Sequence, residues 1–261
     1  MKQHIMLPKS TLKLFVTENK LHYLDVECNV IRIGTAKSHN TKENYYPYST
    51  EKFLADEIET AIGHLRKALV DFEAAKCQIA LPASLTQLII KIFVVQSLRI
   101  PEFANDAYAN SVFAKPLGLP VQYYSTLHHN AENRNRILHE VQTDITNSLF
   151  KDYSVNILEV PKTNRNRSLL LPSSHFIALG RWLILVLSPF WGIILLPTTE
   201  NNSITQGKQR YFAAPQDKHV DMINEGALKH ERSLRATPKL VGLLPELERM
   251  QQHLRTEKQL I

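Results

Sequence analysis

The sequence predicts a membrane-anchored α/β protein, in which one transmembrane helix separates a cytoplasmic domain from a small helical tail. Three observations support this fold class. Strand and helix signals alternate through the N-terminal half, residues 176–196 form an apolar run with a single charge, and leucines recur every seven residues near the C-terminus. A chain of 261 residues is long enough to bury a hydrophobic core.

The composition excludes several classes of protein. With 44% hydrophobic and 21% charged residues, the chain is not of the disordered, collagen-like or disulfide-scaffold type. Its net charge of +6 is spread thinly, whereas nucleic-acid-binding domains concentrate positive charge on one face. Cys28 and Cys77 are far apart, without the CxxC spacing of a zinc site. We therefore expect no nucleic-acid partner, no metal and no cofactor.

The first half of the cytoplasmic domain is predicted to contain three strands and a long helix. Strands are expected at residues 12–16, 21–26 and 30–33, where apolar and β-branched residues cluster between turn signals. Thr50 is a suitable N-cap for the helix that follows. Apolar residues then recur at helical spacing at Phe53, Leu54, Ile58, Ile62, Leu65, Leu69 and Phe72.

The second half of this domain is predicted to alternate strands and helices. Strands are expected at 77–81, 88–95, 121–125 and 155–160, and helices at 105–114 and 143–153. The run LIIKIFVV at 88–95 is the most apolar of these strands and is expected to be central. Residues 128–136 are polar and predict a loop.

Two short segments resemble a known family. The segment Ile79-Ala80-Leu81-Pro82-Ala83-Ser84 follows a helix and precedes an apolar run, and Val121-Gln122-Tyr123-Tyr124 follows a shorter helix. This order is similar to the N-terminal half of the PilM family, actin-like proteins of type IV pilus and competence machinery. The sequence SLLLP at 168–172 also resembles the start of PilN proteins, which are single-span partners of PilM.

The resemblance implies a truncated actin-like cytoplasmic domain carried on a membrane anchor, which is the arrangement of the GspL family of type II secretion. The partners would then be other proteins of a membrane platform. The nucleotide site of the family is not matched. Asp25 and Glu27 end a strand without a glycine beside them, and Gly34 stands alone, so the backbone amides of a phosphate cradle are missing. We expect neither nucleotide binding nor a catalytic residue.

The apolar run at 176–196 is predicted to be the transmembrane helix. About 20 apolar residues are needed to cross the hydrocarbon core of a bilayer. Trp182 and Trp191 suit the membrane interfaces, and the side chain of Arg181 can extend back to the headgroups. Pro189 is tolerated in membrane helices. The alternative is a soluble α/β protein in which the same run is a core helix.

Flanking charge sets the predicted orientation. Lys162, Arg165 and Arg167 lie just before the apolar run, Arg181 lies within it, and Lys or Arg does not recur until Lys208. The positive-inside rule therefore places the N-terminus in the cytoplasm and the chain in the inner membrane as a single-pass protein. The predicted divisions are a cytoplasmic domain at 1–161, a basic juxtamembrane linker at 162–175, the helix at 176–196 and an extracytoplasmic tail at 197–261.

The tail is predicted to end in an amphipathic helix, after an earlier helix at 219–234. The apolar positions of its stripe are Leu240, Leu243, Leu247, Met250, Leu254 and Ile261. Three heptads are near the lower limit for a coiled coil, and Pro245 suits a first helical turn. The stripe could form a dimer, bind a partner helix or pack on its own domain.

The predicted function is that of a non-enzymatic inner-membrane scaffold, which couples cytoplasmic and periplasmic partners of a pilus, competence or secretion platform. The membrane lipid would be contacted through the single helix. The alternative function is a membrane-anchored enzyme with an unrecognised active site. Ser84 lacks the glycines of a nucleophile elbow, and the adjacent His128 and His129 point apart, so neither indicates catalysis.

Overall fold

The computed structural model describes most of the chain in several segments. The described residues are 2–4, 7–39, 41–43, 45–75, 83–99, 146–147, 153–161, 167–180, 182–197, 211–213, 217–234 and 238–259. The predicted elements at 77–81, 105–114, 121–125 and 128–136 lie outside these residues. All statements below concern the described part of the chain.

The strands, in chain order, are short and mostly antiparallel. They are β1 (Lys2–His4), β2 (Val16–Thr17), β3 (Lys20–Asp25), β4 (Val30–Gly34), β5 (Thr41–Glu43), β6 (Tyr153–Glu159), β7 (Leu171–Pro172), β8 (Phe176–Leu179), β9 (Trp182–Val186), β10 (Trp191–Pro197), β11 (Tyr211–Ala213) and β12 (Lys239–Val241).

These strands form two five-stranded sheets and a separate β1–β5 pair. The central sheet has the order β11-β6-β10-β9-β8, in which only the β11–β6 pair is parallel. The second sheet has the order β2-β3-β12-β7, and β4 also pairs with β3.

The helices cover both sides of the central sheet. They are α1 (Lys9–Leu12) with a 3₁₀ turn at Lys13–Phe15, α2 (Tyr48–Phe53), a π-helical stretch at Leu54–Glu59, α3 (Thr60–Ala75), α4 (Ala83–Leu98), α5 (Asp217–Leu234) and α6 (Leu244–Gln259). Helix α2, the π-helical stretch and α3 are continuous in sequence, as the periodicity of residues 53–72 predicts.

The central sheet is apolar on both faces because each face has its own core. Along β9, Leu183 and Leu185 face a core formed with the α2–α4 side of the molecule. Their neighbours Ile184 and Val186 face a second core, which contains residues of the second sheet, α5 and α6. Since successive side chains of a strand point to opposite faces, burial of both faces requires a continuous apolar run.

The predicted transmembrane helix at 176–196 is wrong. These residues form β8, β9 and β10, which pair with one another antiparallel. Gly180, directly after β8, has a φ of +60°, and Pro189 lies in the turn between β9 and β10. No helix among the described residues is both long and apolar enough to cross a bilayer.

The actin-like domain with a separate tail is also wrong, because the fold is a different mixture of helices and antiparallel sheet. Strand β12, which follows residues 176–196, pairs antiparallel with β3, and Leu240 lies opposite Leu24. Strand β11, which also follows residues 176–196, pairs with β6 in parallel. The chain on either side of residues 176–196 therefore shares both sheets.

Individual elements differ in how well the sequence predicted them. The strands at 21–26, 30–33 and 155–160 and the helix at 219–234 are confirmed within two residues as β3, β4, β6 and α5. The strand predicted at 12–16 is helical up to Phe15. The central strand predicted at 88–95 is wrong, because these residues belong to α4. Periodicity does not separate a short apolar strand from a buried helix.

Candidate functional site

A buried arginine forms the centre of the most extensive polar cluster among the described residues. The side chain of Arg167 is 1% exposed and lies between α5 and α6. Its Nε donates to Glu246 Oε2 at 3.1 Å, and its Nη2 donates to Asp221 and to Glu246 Oε1 at 3.3 Å. Its Nη1 lies 3.3 Å from Asp217 Oδ2. One guanidinium group therefore meets three carboxylates.

The carboxylate of Glu246 joins this cluster to the backbone. Glu246 is buried at the first turn of α6. Besides Arg167, it accepts hydrogen bonds from Ser168 N at 3.1 Å and from Asn224 Nδ2 at 3.1 Å. A buried carboxylate is tolerated when its oxygens are hydrogen-bonded and paired with a cation, as they are here.

Helix α5 supplies the other partners from one face. Asn224 Nδ2 donates to Ser168 O, and Leu170 N donates to Asn224 Oδ1, both at 2.9 Å. Two turns further along α5, the buried Glu231 accepts a hydrogen bond from Ser173 N at 2.9 Å. These side chains satisfy the backbone of the segment 168–173 where it runs beside α5, and so fix the floor of the site.

An open cleft lies above this floor between α5 and α6. It has a volume of about 240 Å³ and is lined by Asp221, Glu225, Glu246, Arg249, Met250 and His253. With Asp217 and Arg167 included, four carboxylates face two guanidinium groups, an excess of two negative charges. Asp217 and Asp221 are about half exposed. The cleft therefore presents negative charge to solvent.

The carboxylates also control the protonation of the buried guanidinium. Burial by itself would lower the pKa of Arg167, but the hydrogen bonds that Arg167 donates to Asp221 and Glu246 outweigh burial and raise this pKa above its ordinary value. Arg167 therefore stays charged, and its position holds α5 and α6 at a fixed separation.

A second group of buried polar residues lies between the central sheet and α3. Burial lowers the pKa of His175 to about 3, and the positive charges of Arg66 and Arg99 act in the same direction. Burial also lowers the pKa of Arg66 to about 10. Arg66 donates to Thr11 Oγ1 at 2.8 Å and to the carbonyls of Ser10 and Leu187. These contacts link α3 to α1 and to the end of β9.

The residues predicted to set membrane topology are found in different surroundings. Lys162, Arg165 and Arg181 lie outside the described residues. Arg167 is the buried centre of the ion cluster rather than a juxtamembrane cation. No local pattern around Arg167 indicates this role, because Glu246 lies 79 residues away in the chain.

The apolar stripe predicted for the C-terminal helix packs within the protein. Helix α6 begins at Leu244, so Pro245 lies in its first turn. Leu247, Met250 and Leu254 are buried in the core beside the second sheet, as is Leu240 in β12. Leu243 is half-buried, and Ile261 lies outside the described residues.

The site could have been partly recognised from spacing. Asp217, Asp221 and Asn224 lie four and three residues apart, which places them on one face of a helix. Glu246, which meets the same guanidinium group, lies in the next helix, α6. No local sequence pattern connects Glu246 with the three residues of α5. Asp25, considered above for phosphate chemistry, instead accepts from Cys28 N at 3.2 Å and Arg32 Nε at 3.3 Å in the β3–β4 hairpin.

The arrangement in the cleft is suited to holding a cationic group. Half-exposed carboxylates on a fixed floor attract ammonium or guanidinium groups. No group of three or more His, Cys, Asp or Glu side chains among the described residues is arranged to hold a metal ion.

Fold and site together define a protein of mixed helices and antiparallel sheet, whose central sheet is buried on both faces and whose α5–α6 cleft carries excess negative charge. Comparison with protein-family models, curated proteins and solved structures finds no match. The resemblance to the PilM and GspL families stays a prediction from the sequence.

Proposed function

We propose that this protein is a non-enzymatic binding module, which holds a lysine or arginine side chain of a partner protein in the α5–α6 cleft. The observation that carries this proposal is the excess of carboxylates around Arg167. Three of them are met by one guanidinium group, and two of the three are half exposed. Asp221 also lines the cleft beside Glu225, where a second cation can approach both carboxylates.

The geometry of the cleft favours recognition of one side chain over a large ligand. A volume of about 240 Å³ is below the range of most drug-sized pockets. The methylene groups of lysine can lie along Met250, while the ammonium group meets Asp221 and Glu225. The contact would supply charge selectivity, and the affinity would depend on the surrounding surface.

A scaffold that brings partners of an assembly together needs rigid binding surfaces of this type. Placement of this module in a pilus, competence or secretion platform, and at the inner membrane, stays a prediction from the sequence.

The test is an NMR titration of the full chain with two probes, a lysine-bearing tripeptide and the matching glutamate-bearing tripeptide. We expect the lysine peptide to shift the amide signals of α5 and α6 and the glutamate peptide to leave them unchanged. Added salt should weaken the binding because exposed charges are screened. Equal binding of the two peptides, or shifts confined to other elements, would overturn the proposal.

A matched pair of variants locates the interaction. Glu225→Gln removes a cleft carboxylate, and we expect it to weaken lysine-peptide binding about two- to fivefold, as for other partly exposed ion pairs. Glu248→Gln removes a carboxylate from an exposed position of α6 outside the cleft and should change nothing. Equal effects of the two variants would show non-specific attraction.

A further inference from the structure

Strand β4 is an edge strand with an unpaired outer side. It pairs with β3, from Gly34 opposite Leu21 to Val30 opposite Asp25. No other strand among the described residues pairs with it. On the outer side, alternate N–H and C=O groups of β4 therefore find no ladder partner in the described part of the chain. Such an edge is a template for another strand.

The side chains of this edge are unusually apolar for an exposed strand. Ile33 is 62% exposed and Val30 is 43% exposed, and both are aliphatic. Edge strands usually carry protecting features such as lysine, proline or a bulge. The single charge of β4, on Arg32, is paired with Asp25 of the neighbouring strand at 3.3 Å.

The hairpin that carries β4 is held in place by the rest of the fold. Asn29, at its turn, exchanges two hydrogen bonds with Gln251 of α6: Asn29 Nδ2 donates to Gln251 O, and Gln251 Nε2 donates to Asn29 O. An added strand would therefore meet a preformed edge, which lowers the entropic cost of pairing.

We propose that two copies of this chain associate through β4, which pairs with the same strand of the second copy in antiparallel orientation across a two-fold axis. The two second sheets would then form one continuous sheet. Because an isologous contact brings each residue opposite its symmetry mate, the sequence of the strand must be complementary to itself.

The register can be chosen from charge and size. Directly opposite residues in an antiparallel pair lie on the same face, so the two-fold axis passes through a residue of β4. An axis at Arg32 would place two guanidinium groups opposite each other, which is unfavourable. An axis at Ile31 would place Ile33 opposite the polar Asn29 of the second copy.

An axis at Ile33 avoids both problems. Ile33 then meets its own copy, which removes the most exposed aliphatic side chain of the edge from water. Arg32 lies opposite Gly34 of the second copy, where no side chain competes for space and its ion pair with Asp25 can persist. This self-complementarity favours a second copy as the occupant of the edge.

Sedimentation of the full chain tests whether this edge joins two copies. We expect a dimer at micromolar concentrations, and a monomer for Ile33→Lys that still unfolds cooperatively, because the Ile33 side chain is exposed. Met222→Lys, which places a lysine at an exposed apolar position of α5, should remain dimeric. A monomeric wild-type chain, or a dimer that survives Ile33→Lys, overturns the proposal.

A cross-link tests the register. In a background with both native cysteines replaced, Cys28→Ser and Cys77→Ser, the change Ile33→Cys should give a disulfide-linked dimer on oxidation, because directly opposite Cα atoms lie about 4.5–5.5 Å apart, within disulfide range. Val30→Cys is the control: in this register the two cysteines would be about 20 Å apart along the strands. Failure of Ile33→Cys to link, or equal linking by Val30→Cys, overturns the proposed pairing.

Discussion

The Arg167 side chain shows how one residue can be decisive for this fold. Its guanidinium group forms ion pairs with three carboxylates at once, those of Asp217, Asp221 and Glu246. Because it is buried, its loss leaves Glu246 without its charged partner in a region of low dielectric. Removing one member of a surface ion pair lowers the free energy of unfolding far less, because water solvates the charge that remains.

We therefore predict that Arg167→Ala lowers the free energy of unfolding by about 3–5 kcal/mol, as expected when one member of a buried ion pair is removed. Urea denaturation gives the measurement. Arg32→Ala, which removes an exposed pair with Asp25, is the control and should leave stability nearly unchanged. Similar losses for the two variants would contradict the structural role of Arg167.

The buried histidines predict a pH dependence of stability. Burial lowers the pKa of His175 to about 3 and that of His230 to about 4 in the folded protein. In the unfolded chain both titrate near 6.5, so the unfolded state binds more protons below that pH. Stability from these groups is thus present above pH 6.5 and is lost as the pH falls toward 4 and 3.

For each of these histidines, we expect the free energy of unfolding to fall by about 2 kcal/mol as the pH is lowered from 7.5 to 5. His175→Asn should reduce the pH dependence, and asparagine tolerates the positive φ of 72° at this position. His64→Asn, at an exposed position of α3, should leave it intact. The measurement is the free energy of unfolding at the two pH values. An equal loss between pH 7.5 and pH 5 in the wild type and in both variants would contradict this prediction.

At the scale of elements, the close approach of α5 to β8 depends on a glycine. A Cβ built at Gly226 would lie 3.0 Å from Leu179 Cγ and closer still to one of its methyl groups. Gly63 in α3 is different, because a Cβ there would meet no atom within 4 Å. Two helical glycines therefore have opposite expected responses to the same substitution.

Gly226→Ala should lower the free energy of unfolding by about 1–3 kcal/mol, because α5 must shift or Leu179 must leave its rotamer. Gly63→Ala should raise it by about 0.5–1 kcal/mol, through better helix propensity and a less flexible unfolded chain. Thermal and urea unfolding measure both changes. A gain in stability for Gly226→Ala would contradict the close packing of α5 on β8.

At the scale of the whole molecule, the two sheets join distant parts of the chain. Strand β6 lies next to β10, and β3 lies next to β12. A fragment ending near residue 161 would keep β3 and β6 but lose these partners. The fragment would expose strand edges, and it would keep 16 of the 23 buried residues of the first core but only 9 of the 26 of the second.

We predict that the fragment 1–161 shows no cooperative thermal transition, in contrast to the full chain. Adding the complementary fragment 162–261 should restore a transition, because it supplies β8, β9, β10 and β12. Calorimetry of the mixture and of each fragment alone gives the measurement. A cooperative transition of 1–161 alone would mean that the N-terminal part folds independently.

The sequence by itself determined the elements whose signals are local. The β3–β4 hairpin and α2–α3, α5 and α6 follow from turn residues and from apolar spacing within one element. Helix α6 begins at the position that Pro245 indicates. These elements have one polar and one apolar face, and their period can be read without knowing the partner.

Only the tertiary structure decided the elements that are buried on all sides and the cluster around Arg167. Residues 176–196 and 88–95 are apolar throughout, so they have no period that separates strand from helix. Their conformations depend on the layers that cover them. Arg167 meets Asp221 and Glu246 across 54 and 79 residues of chain. Such contacts exist only after folding, because no local sequence pattern encodes a neighbour so distant in the chain.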